Sequence, residues 1–580
     1  MNRKVYYLLL ASLLFAQCQP SDGIRLKKGM TISKSVTVSE QIFNINGADS
    51  IDKAVLVIEG NDITIDFNGA TLQGSNDKST PDEFYGLGIL VQNGKNITIK
   101  NLNVKGYKMG LKAVGIDSLK LENCNFSYNY RPNLKEIESI SRYEFYLNSH
   151  QNDIRTRFGA GIYLNQCSHA TVKNIIITEG KNGLMLVNCD NGLFYNNTIQ
   201  FNSGTGISLL QSNNNRVMHN KLDWNVRQYP VFKKEIENDA SGVLINTNSS
   251  NNIIAYNSTT HCTNGISISA DSQSYGKKGE GSNDNIIYGN DCSYAIRSGI
   301  KMIYSSNKVF SNIINSSSTG LNLSFSNHSM IMGNAIEDNQ TGIYLSNVQD
   351  FQIRHNELFG NATALMTDLT KHPNYRPNNI FSKLNDNISI DHNLIKNSSV
   401  AFDINYSKLV KVVLNQFINC KTISIDNNNE NLILKYNEEN PETVKEINSA
   451  SFLAYAPQAL TDGINTKLTN PEQGKEYILM NEYGTYSFRY PKIWFRSKIE
   501  GTGEYLFAFL GPYGNFKLRE GINVKEINLK TGTIPSTIIL KKKDLYKPVS
   551  LQIEFIGEAI ETQFGKKYKK GETFLVEWKD

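Results

Sequence analysis

The sequence predicts an all-β protein built mainly from a right-handed, single-stranded parallel β-helix, a rod in which each coil stacks on the previous one. Three observations predict it. Asparagine recurs at a spacing close to 22 residues, Gly-x-x-aliphatic segments recur in phase with it, and the runs between them alternate apolar and polar residues. A fixed period in this range indicates a solenoid, whose repeats bury their apolar faces against one another.

The asparagine repeat is the first observation. It comprises Asn101, Asn123, Asn174, Asn197, Asn220, Asn257, Asn290, Asn312, Asn334, Asn356, Asn393, Asn415 and Asn437. Asn tolerates the left-handed backbone of a tight turn, and stacked Asn side chains can hydrogen-bond to the coils above and below. We therefore expect one Asn turn per coil and, at about 4.8 Å per coil, a rod on the order of 60 Å long.

The glycine repeat and the alternating runs indicate strands. The glycines are Gly161, Gly183, Gly206, Gly242, Gly265, Gly299, Gly320 and Gly342. Each precedes a run such as Ile162-Tyr163-Leu164, whose period of two is that of a strand with one buried face. A leucine-rich repeat has a similar period, but its Leu-x-x-Leu-x-Leu consensus and its helical half are absent.

The chain divides into four parts. After Asn437 the repeat ends, and from Pro457 short alternating strands with turn signals predict a β-sandwich-like domain. The predicted parts are a signal peptide at 1–18, the parallel β-helix at 24–440, a linker at 441–456 and the β-sandwich-like domain at 457–580.

The N-terminus has the pattern of an export signal. Arg3 and Lys4 precede an apolar stretch from Val5 to Ala16, and Cys18 follows it. This resembles a bacterial lipoprotein signal, although Gln17 replaces the small residue usual before the cysteine. The resemblance implies that Cys18 is lipidated and anchors an exported cell-envelope protein to a membrane. The alternative is cleavage after Ala16, which would give a secreted protein without an anchor.

Composition excludes some partners and sites. The formal net charge of +5 is small for 580 residues, so no nucleic-acid partner is predicted. No apolar run after the N-terminus is long enough to cross a bilayer. The other six cysteines include no C-x-x-C pair and no zinc-ligand spacing. Cys167 and Cys189 fall on neighbouring coils, as a buried thiol ladder or a disulfide would.

One coil pattern resembles a known superfamily. The segment Asn285-Ile286-Ile287-Tyr288-Gly289-Asn290 is similar to the repeats of pectate-lyase-like β-helix proteins, in particular the NosD and carbohydrate-binding-and-sugar-hydrolase type. The resemblance covers roughly residues 60 to 440. It implies the β-helix fold and a role with glycans, and it is specific for fold rather than for reaction.

Departures from the 22-residue step locate insertions. The steps after Asn123 and Asn220 are 51 and 37 residues, and both insertions fall between the Asn turn and the next glycine strand. They are expected to emerge on one side of the rod and to wall a groove. Their aromatic and charged residues suit sugar binding, although solvated loops would have the same composition. The candidates are Arg155, Arg157, Trp224, Arg227 and Tyr229.

Counting back from the strand glycines gives catalytic candidates. Glu179 and His261 are each four residues before their glycine, and Asp239 is three before Gly242. Asp239 and His261 would then lie on adjacent coils within hydrogen-bond reach. A carboxylate that orients an imidazole is a common acid–base arrangement, and a structural Asp–His bond is the alternative.

Three further residues complete the candidate set. Lys301 is the one charge in the outward positions that follow the strand glycines, where it would bind a substrate carboxylate or be an ordinary surface lysine. Glu280 and Asp284 lie at the end of a third insertion and offer oxygen ligands suited to calcium. No other cofactor is predicted.

Three functions fit these residues. A glycoside hydrolase would use Asp239 with Glu280 or Glu179, supported by His261, and the preponderance of acids favours it. A polysaccharide lyase would use His261 or Lys301 with one of the two arginines. The third is a non-catalytic glycan-binding or NosD-like periplasmic protein. Against copper handling, no Met/His/Cys cluster has soft-metal spacing.

Overall fold

The fold is that of a parallel β-helix, as predicted. The computed structural model describes residues 23–75, 80–131, 159–226, 240–269, 281–369 and 384–442, together with individual strands and one turn residue between 492 and 577. Up to residue 442, every strand pairing in the described chain is parallel and joins one coil to the next. A short 3-10 helix at Pro81–Glu83 is an exception to the β structure. None of the helices described here is long and apolar enough to span a membrane.

Each coil has three strand faces. Face A carries the strands that follow the repeating glycines, and its members are Met30–Ile32, Ala54–Asp66, Leu87–Lys100, Met109–Val114, Ala160–Asn165, Leu184–Val187, Ile207–Leu210, Ser241–Asn246, Asn264–Ser269, Ser298–Ile303, Thr319–Ser324, Thr341–Ser346, Thr363–Asp368, Val400–Asn405 and Thr422–Asn427. The second and third of these long strands continue around the corner onto face B.

Face B follows face A along the chain. Its strands are Val36–Thr37, Lys120–Glu122, Thr171–Lys173, Leu193–Tyr195, Arg216–Met218, Ile253–Ala255, Ile286–Tyr288, Lys308–Phe310, Met330–Met332, Gln349–Arg354, Asn385–Asp391, Ser407–Val413 and Ile433–Lys435. Turn 1 joins face A to face B.

Face C closes the coil. Its strands are Ile42–Asn44, Thr71–Gln73, Asn103–Lys105, Ile176–Thr178, Thr198–Gln200, Ile313–Asn315, Ala335–Glu337, Glu357–Phe359, Leu394–Lys396, Gln416–Ile418 and Glu438–Glu439. Single bridges continue it at Asn125, Lys221, Ser258 and Asp291. Turn 2 joins face B to face C, and turn 3 joins face C to the next face A.

Alternate residues of most strands on the three faces point into one continuous core. On face A, for example, Ile300, Leu321 and Ile343 stack in register on successive coils and are fully buried. Burying such a side chain stabilises the fold by about 1.5–3 kcal/mol. The core therefore grows by one layer of aliphatic side chains per coil, and each layer needs its neighbours.

Turn 2 contains the predicted asparagine ladder. The Oδ1 atom of Asn334 accepts hydrogen bonds from both the backbone N–H and the Nδ2 of Asn312, each at 3.0 Å. Its own Nδ2 donates to the carbonyl of Val309 at 3.0 Å and to Oδ1 of Asn356 at 2.9 Å. The same bonds repeat from Asn197 to Asn437, so the buried corner has its polar groups satisfied.

The first asparagines of the repeat belong to a different column. Asn101, Asn123 and Asn174 have positive φ angles and continue into Asn196, which is one residue before the ladder. Asn174 donates to Asn123 at 2.9 Å on the exposed side of the turn. The asparagines that form one repeat in the sequence therefore occupy two adjacent positions of turn 2 in the structure. Both positions of the turn accept asparagine.

The repeating glycines are required by close packing between coils. A Cβ atom on Gly206 would lie 2.6 Å from the carbonyl oxygen of Gly242 and 2.7 Å from Nδ2 of Asn225. Gly206 is not among the residues with positive φ. A left-handed backbone is therefore not the reason for glycine at this position.

The last described coil ends the rod with polar residues. Ser424 and Asp426 replace the inward Phe402 and Ile404 of the coil before, and Glu439 replaces Phe417. Polar terminal repeats keep a solenoid soluble because they cover the last apolar layer.

The strands beyond residue 490 differ from the rod because they pair antiparallel. One sheet has three strands, Lys492–Ile499, Glu504–Leu510 and Ser536–Lys541. Another has four, Asn523–Leu529, Gly514–Glu520, Ser550–Phe555 and Thr573–Glu577, and a hairpin pairs Ile560–Glu561 with Lys567–Tyr568. Packing of these sheets into a sandwich remains a prediction.

Replacing Asn334 with alanine tests the ladder. The substitution leaves buried backbone and amide groups of two coils without partners, which costs roughly 1–3 kcal/mol per group. We expect the free energy of unfolding to fall by about 2–4 kcal/mol, measured by urea denaturation. Asn322→Ala, on the outward side of the same coil, should cost less than about 1 kcal/mol. Equal losses in both variants would contradict a special role for the ladder.

Candidate functional site

Turn 3 holds one residue per coil in the left-handed conformation. From Asn197 onwards it is the fourth residue after each ladder asparagine, and Tyr128 and Glu179 hold the same place on the two coils before. We name this set the αL column: Tyr128, Glu179, Phe201, Trp224, His261, Tyr294, Ser316 and Asp338. Their φ angles lie between 50° and 64°. Holding a bulky side chain in this region costs on the order of 1–3 kcal/mol, and such strain is concentrated at functional sites.

Four consecutive coils place aromatic rings in this column. Trp224 stacks on His261 with ring centroids 3.9 Å apart and planes 16° apart, and Tyr294 stacks on the other face of His261 at 4.8 Å. Phe201 lies 6.2 Å from Trp224 on its far side. Trp224 is 1% exposed and His261 is 3% exposed, so the imidazole is held inside the stack.

The turn before these rings is fixed by a short inner ladder. Nδ2 of Asn225 donates to the carbonyls of Ile199 and Leu222, both at 2.8 Å, and Oδ1 of Asn225 accepts from the backbone N–H and the Nδ2 of Asn202. These bonds hold the backbone immediately after Trp224, which explains how the strained turn is maintained.

A carboxylate is connected to His261 through a threonine. Nδ1 of His261 lies 2.9 Å from Oγ1 of Thr260, and that hydroxyl lies 3.0 Å from Oδ1 of Asp223. Oδ1 of Asp223 also accepts from the backbone N–H of Thr260 at 2.9 Å and from Oγ of Ser258 at 2.6 Å. Gln200 donates to Oδ2 at 3.3 Å. Asp223 is buried, and its two carboxylate oxygens accept all four of these hydrogen bonds.

A second acid lies two coils further along face C. Asp291 pairs in register with Ser258, which itself donates to Asp223. Burial raises the pKa of the Asp291 carboxyl, hydrogen bonds from Ser293 lower it, and the negative charge of Asp223 raises it further. The net direction is upward, so Asp291 keeps its proton to higher pH than an ordinary aspartate.

Tyr294 lies on the same coil as Asp291 and is partly exposed. Burial raises the pKa of its hydroxyl, and the carboxylates of Asp291, Asp338 and Glu337 raise it further. The pKa of Glu337 is itself raised by burial and by the charges of Asp338 and Glu357. This end of the αL column therefore has acidic surroundings and groups that hold their protons.

The structure brings together only some of the residues predicted from sequence. Glu179 and His261 share the αL column but are three coil steps apart, about 14 Å along the rod. Lys301 lies outward on face A between Ser267 and Asn322. Asp284 is an exposed residue of turn 1 with a φ of 56°, on another corner of the coil.

Trp224 has a different position from the one a sugar platform requires. Phe201 lies against one face of its indole and His261 against the other. The stacking on a sugar ring expected from sequence is therefore not available to it, and Trp224 instead packs His261 in place.

The remaining candidates lie outside the described residues. They are Cys18, Arg155, Arg157, Arg227, Tyr229, Asp239 and Glu280. The chain leaves the described part after Arg131 and again after Val226, and it returns at Gly159 and Ala240. All four of these flanking residues belong to turn 3, so the first two insertions arise at the same corner of the coil.

Sequence reasoning missed Asp223, Thr260, Asp291 and Tyr294 as members of one site. The number of residues between a strand glycine and the αL residue before it varies with the length of turn 3, so the glycines do not locate this column. Counting forward from the ladder asparagines finds the column directly, because Trp224, His261 and Tyr294 are each four residues after Asn220, Asn257 and Asn290.

Two family descriptions match parts of the chain. "Right handed beta helix region" matches residues 160–276, and "Periplasmic copper-binding protein (NosD)" matches residues 223–389 and 274–454. These matches agree with the parallel β-helix fold of the described coils. No curated protein matches it in sequence.

Solved structures with the same architecture are distant from this β-helix protein. A mannuronan C-5 epimerase A-module of Azotobacter vinelandii is 12% identical over 71% of this chain and 92% of that one, with a TM-score of 0.37. A variant of the periplasmic alginate epimerase AlgG is 13% identical over 70% and 86%, also at 0.37. An exopolygalacturonase of Thermotoga maritima is 8% identical over 65% and 82%, at 0.31. Similarity at this level does not extend to a reaction.

The described residues do not fit a copper site. Copper prefers imidazole and sulfur ligands. His355 and His392 are neighbouring imidazoles within the NosD match, but their rings stack 5.1 Å apart at 23°, so their nitrogens do not converge on one point. In the described part of the chain, no group of three or more His, Cys, Asp or Glu side chains could hold a metal ion.

Asp291→Asn tests the electrostatics of the site. Because the pKa of Asp291 is raised in the folded protein, its stabilising contribution is present below the pKa of the unfolded chain and is lost as pH rises through the folded value. The variant should therefore have a higher Tm than the native protein at pH 7 and a smaller difference near pH 4. Asp284→Asn, on the exposed turn 1, is the control for the removal of a surface carboxylate. The same pattern in both variants would contradict this account.

Proposed function

We propose that this protein acts on a polysaccharide bound along turn 3, with His261 as a base and Asp291 as an acid. The observation that carries the proposal is the aromatic part of the αL column, where an imidazole is linked to a buried carboxylate and the next coil carries an acid with a raised pKa. The four strained φ angles of this stretch support a functional role, since they oppose folding.

The acid and the base complement each other chemically. Glycosidic bond cleavage needs a proton for the leaving oxygen and a group that takes a proton from water or from the sugar. The raised pKa of Asp291 suits the first task because the carboxyl keeps its proton to higher pH, and a neutral imidazole suits the second. The low exposure of His261 strengthens electrostatic interactions in the site.

Hydrolysis is the reaction we favour. In an inverting glycosidase an acid protonates the leaving oxygen and a separate base activates a water. Asp291 and His261, on neighbouring coils, would supply these two groups. Asp239, Glu280 and Glu179 remain proposals for a carboxylate that assists Asp291.

Elimination by a lyase is the second candidate, and the position of Tyr294 favours it. Its ring stacks on His261 at 4.8 Å, and its hydroxyl is a proton donor that could protonate the leaving oxygen. His261 would then remove the proton at C5 of a uronate. Lys301, or Arg155 and Arg157 of the first insertion, would neutralise the substrate carboxylate.

The setting of the site is also part of the proposal. Arg227 and Tyr229 of the second insertion, which arises at the same corner as the first, are proposed to contact the glycan. Asp284 with Glu280 is proposed as a calcium site away from turn 3. We further propose that the protein is exported and attached to a membrane through a lipid on Cys18.

Product analysis tests the proposal. The native protein, Asp291→Asn and His261→Asn are incubated with neutral and uronate-containing polysaccharides, and reducing ends and the ultraviolet absorbance of unsaturated uronates are followed. Reducing ends alone indicate hydrolysis, and both signals indicate elimination. We expect each variant to lose at least about 100-fold in kcat, while Asp62→Asn, at an exposed position, keeps its activity. Binding of a glycan with no product in the native protein would contradict an enzyme and leave a glycan-binding protein.

A further inference from the structure

We infer that Thr260 and Asp223 form a relay that fixes the tautomer of His261, with the proton on Nδ1 and the lone pair on Nε2. Thr260 and Asp223 are then positioning residues that act through the imidazole. This assignment rests on the proposed function for its catalytic consequence, but its geometry stands independently of any reaction.

The direction of each hydrogen bond follows from the donors available. An ionised carboxylate can only accept, so the Thr260 hydroxyl, 3.0 Å from Oδ1 of Asp223, must donate its single proton there. The oxygen of Thr260 can then only accept from Nδ1 of His261, which lies 2.9 Å away. The neutral ring therefore carries its proton on Nδ1 and keeps its basic lone pair on Nε2.

Other contacts hold each member of the relay in place. Asp223 cannot rotate away from Thr260 without losing the bonds from Ser258 and from the Thr260 backbone N–H. The ring of His261 cannot tilt far because Trp224 and Tyr294 lie on its two faces at 3.9 and 4.8 Å. Both the tautomer and the orientation of the imidazole are therefore preset before any substrate binds.

The relay also links the two proposed catalytic groups. Ser258, which donates to Asp223, is the register partner of Asp291 on the next coil. The negative charge that fixes the tautomer of His261 is thus the same charge that helps to keep Asp291 protonated. A single buried carboxylate would prepare one group to accept a proton and the other to donate one.

Thr260→Val and Thr260→Ser separate the relay from general packing. Valine keeps the shape of threonine without its hydroxyl, whereas serine keeps the hydroxyl. The full-length protein is labelled with ¹⁵N-histidine, and His261→Asn assigns the resonances. We expect a protonated Nδ1 and an unprotonated Nε2 for neutral His261 in the native protein and in Thr260→Ser, and a shift towards protonated Nε2 in Thr260→Val. Thr259→Val, which removes a neighbouring buried hydroxyl that bonds the Asp291 carbonyl at 3.3 Å, is the matched control.

The kinetic result separates the relay from the proposed function. Thr260→Val should lower kcat by about 10- to 100-fold and displace the acidic limb of its pH profile, and Thr260→Ser should restore both. A native spectrum with the proton on Nε2, or no spectral difference in Thr260→Val, would overturn the relay. The expected spectral change without glycan activity in any variant would support the relay and contradict the proposed function.

Discussion

The buried asparagine amides of turn 2 are the interaction on which the rest of the rod depends. A sharp corner leaves backbone groups that the strand ladders cannot pair, and each amide satisfies them on two coils at once. The bonds keep the same lengths where the chain between two rungs is much longer. Asn220 and Asn257, 37 residues apart, join at 3.0 Å, as do Asn257 and Asn290, 33 residues apart. Insertions at the other corners therefore leave the stacking of the coils undisturbed.

Turn 3 uses the same backbone geometry for a different purpose. Near the end of the rod its left-handed position is occupied by Asn397 and Asn419. Asparagine adopts this conformation at a small cost in free energy. Between Phe201 and Tyr294 the position holds aromatic rings, which oppose that conformation but stack along the rod axis. The spacing of the coils sets the distance between the rings, and the imidazole is therefore held between two aromatic rings from the neighbouring coils.

Parts of the site were accessible to sequence reasoning and parts were not. His261 was found because it falls at a fixed distance from Gly265, and the two insertions were placed at one corner by the same periodicity. Asp223 was not found, since nothing in its neighbours indicates that it follows the single bridge of face C at Lys221. Its link to Thr260 spans 37 residues of chain and exists only because the intervening residues leave and rejoin the same corner.

The sequence by itself determined the architecture, because a period near 22 residues with alternating apolar positions can bury its hydrophobic surface only as stacked coils. It also determined the asparagine rungs. Only the tertiary structure decided which residues meet at turn 3. A shift of one residue along the chain moves a side chain to an adjacent position of the turn, and this changes which side chains of neighbouring coils contact each other. The same offset separates a rung such as Asn197 from the exposed Asn174, although both follow the same repeat. The packing of the coils, rather than the local sequence pattern, determines whether an asparagine occupies the buried or the exposed position of turn 2.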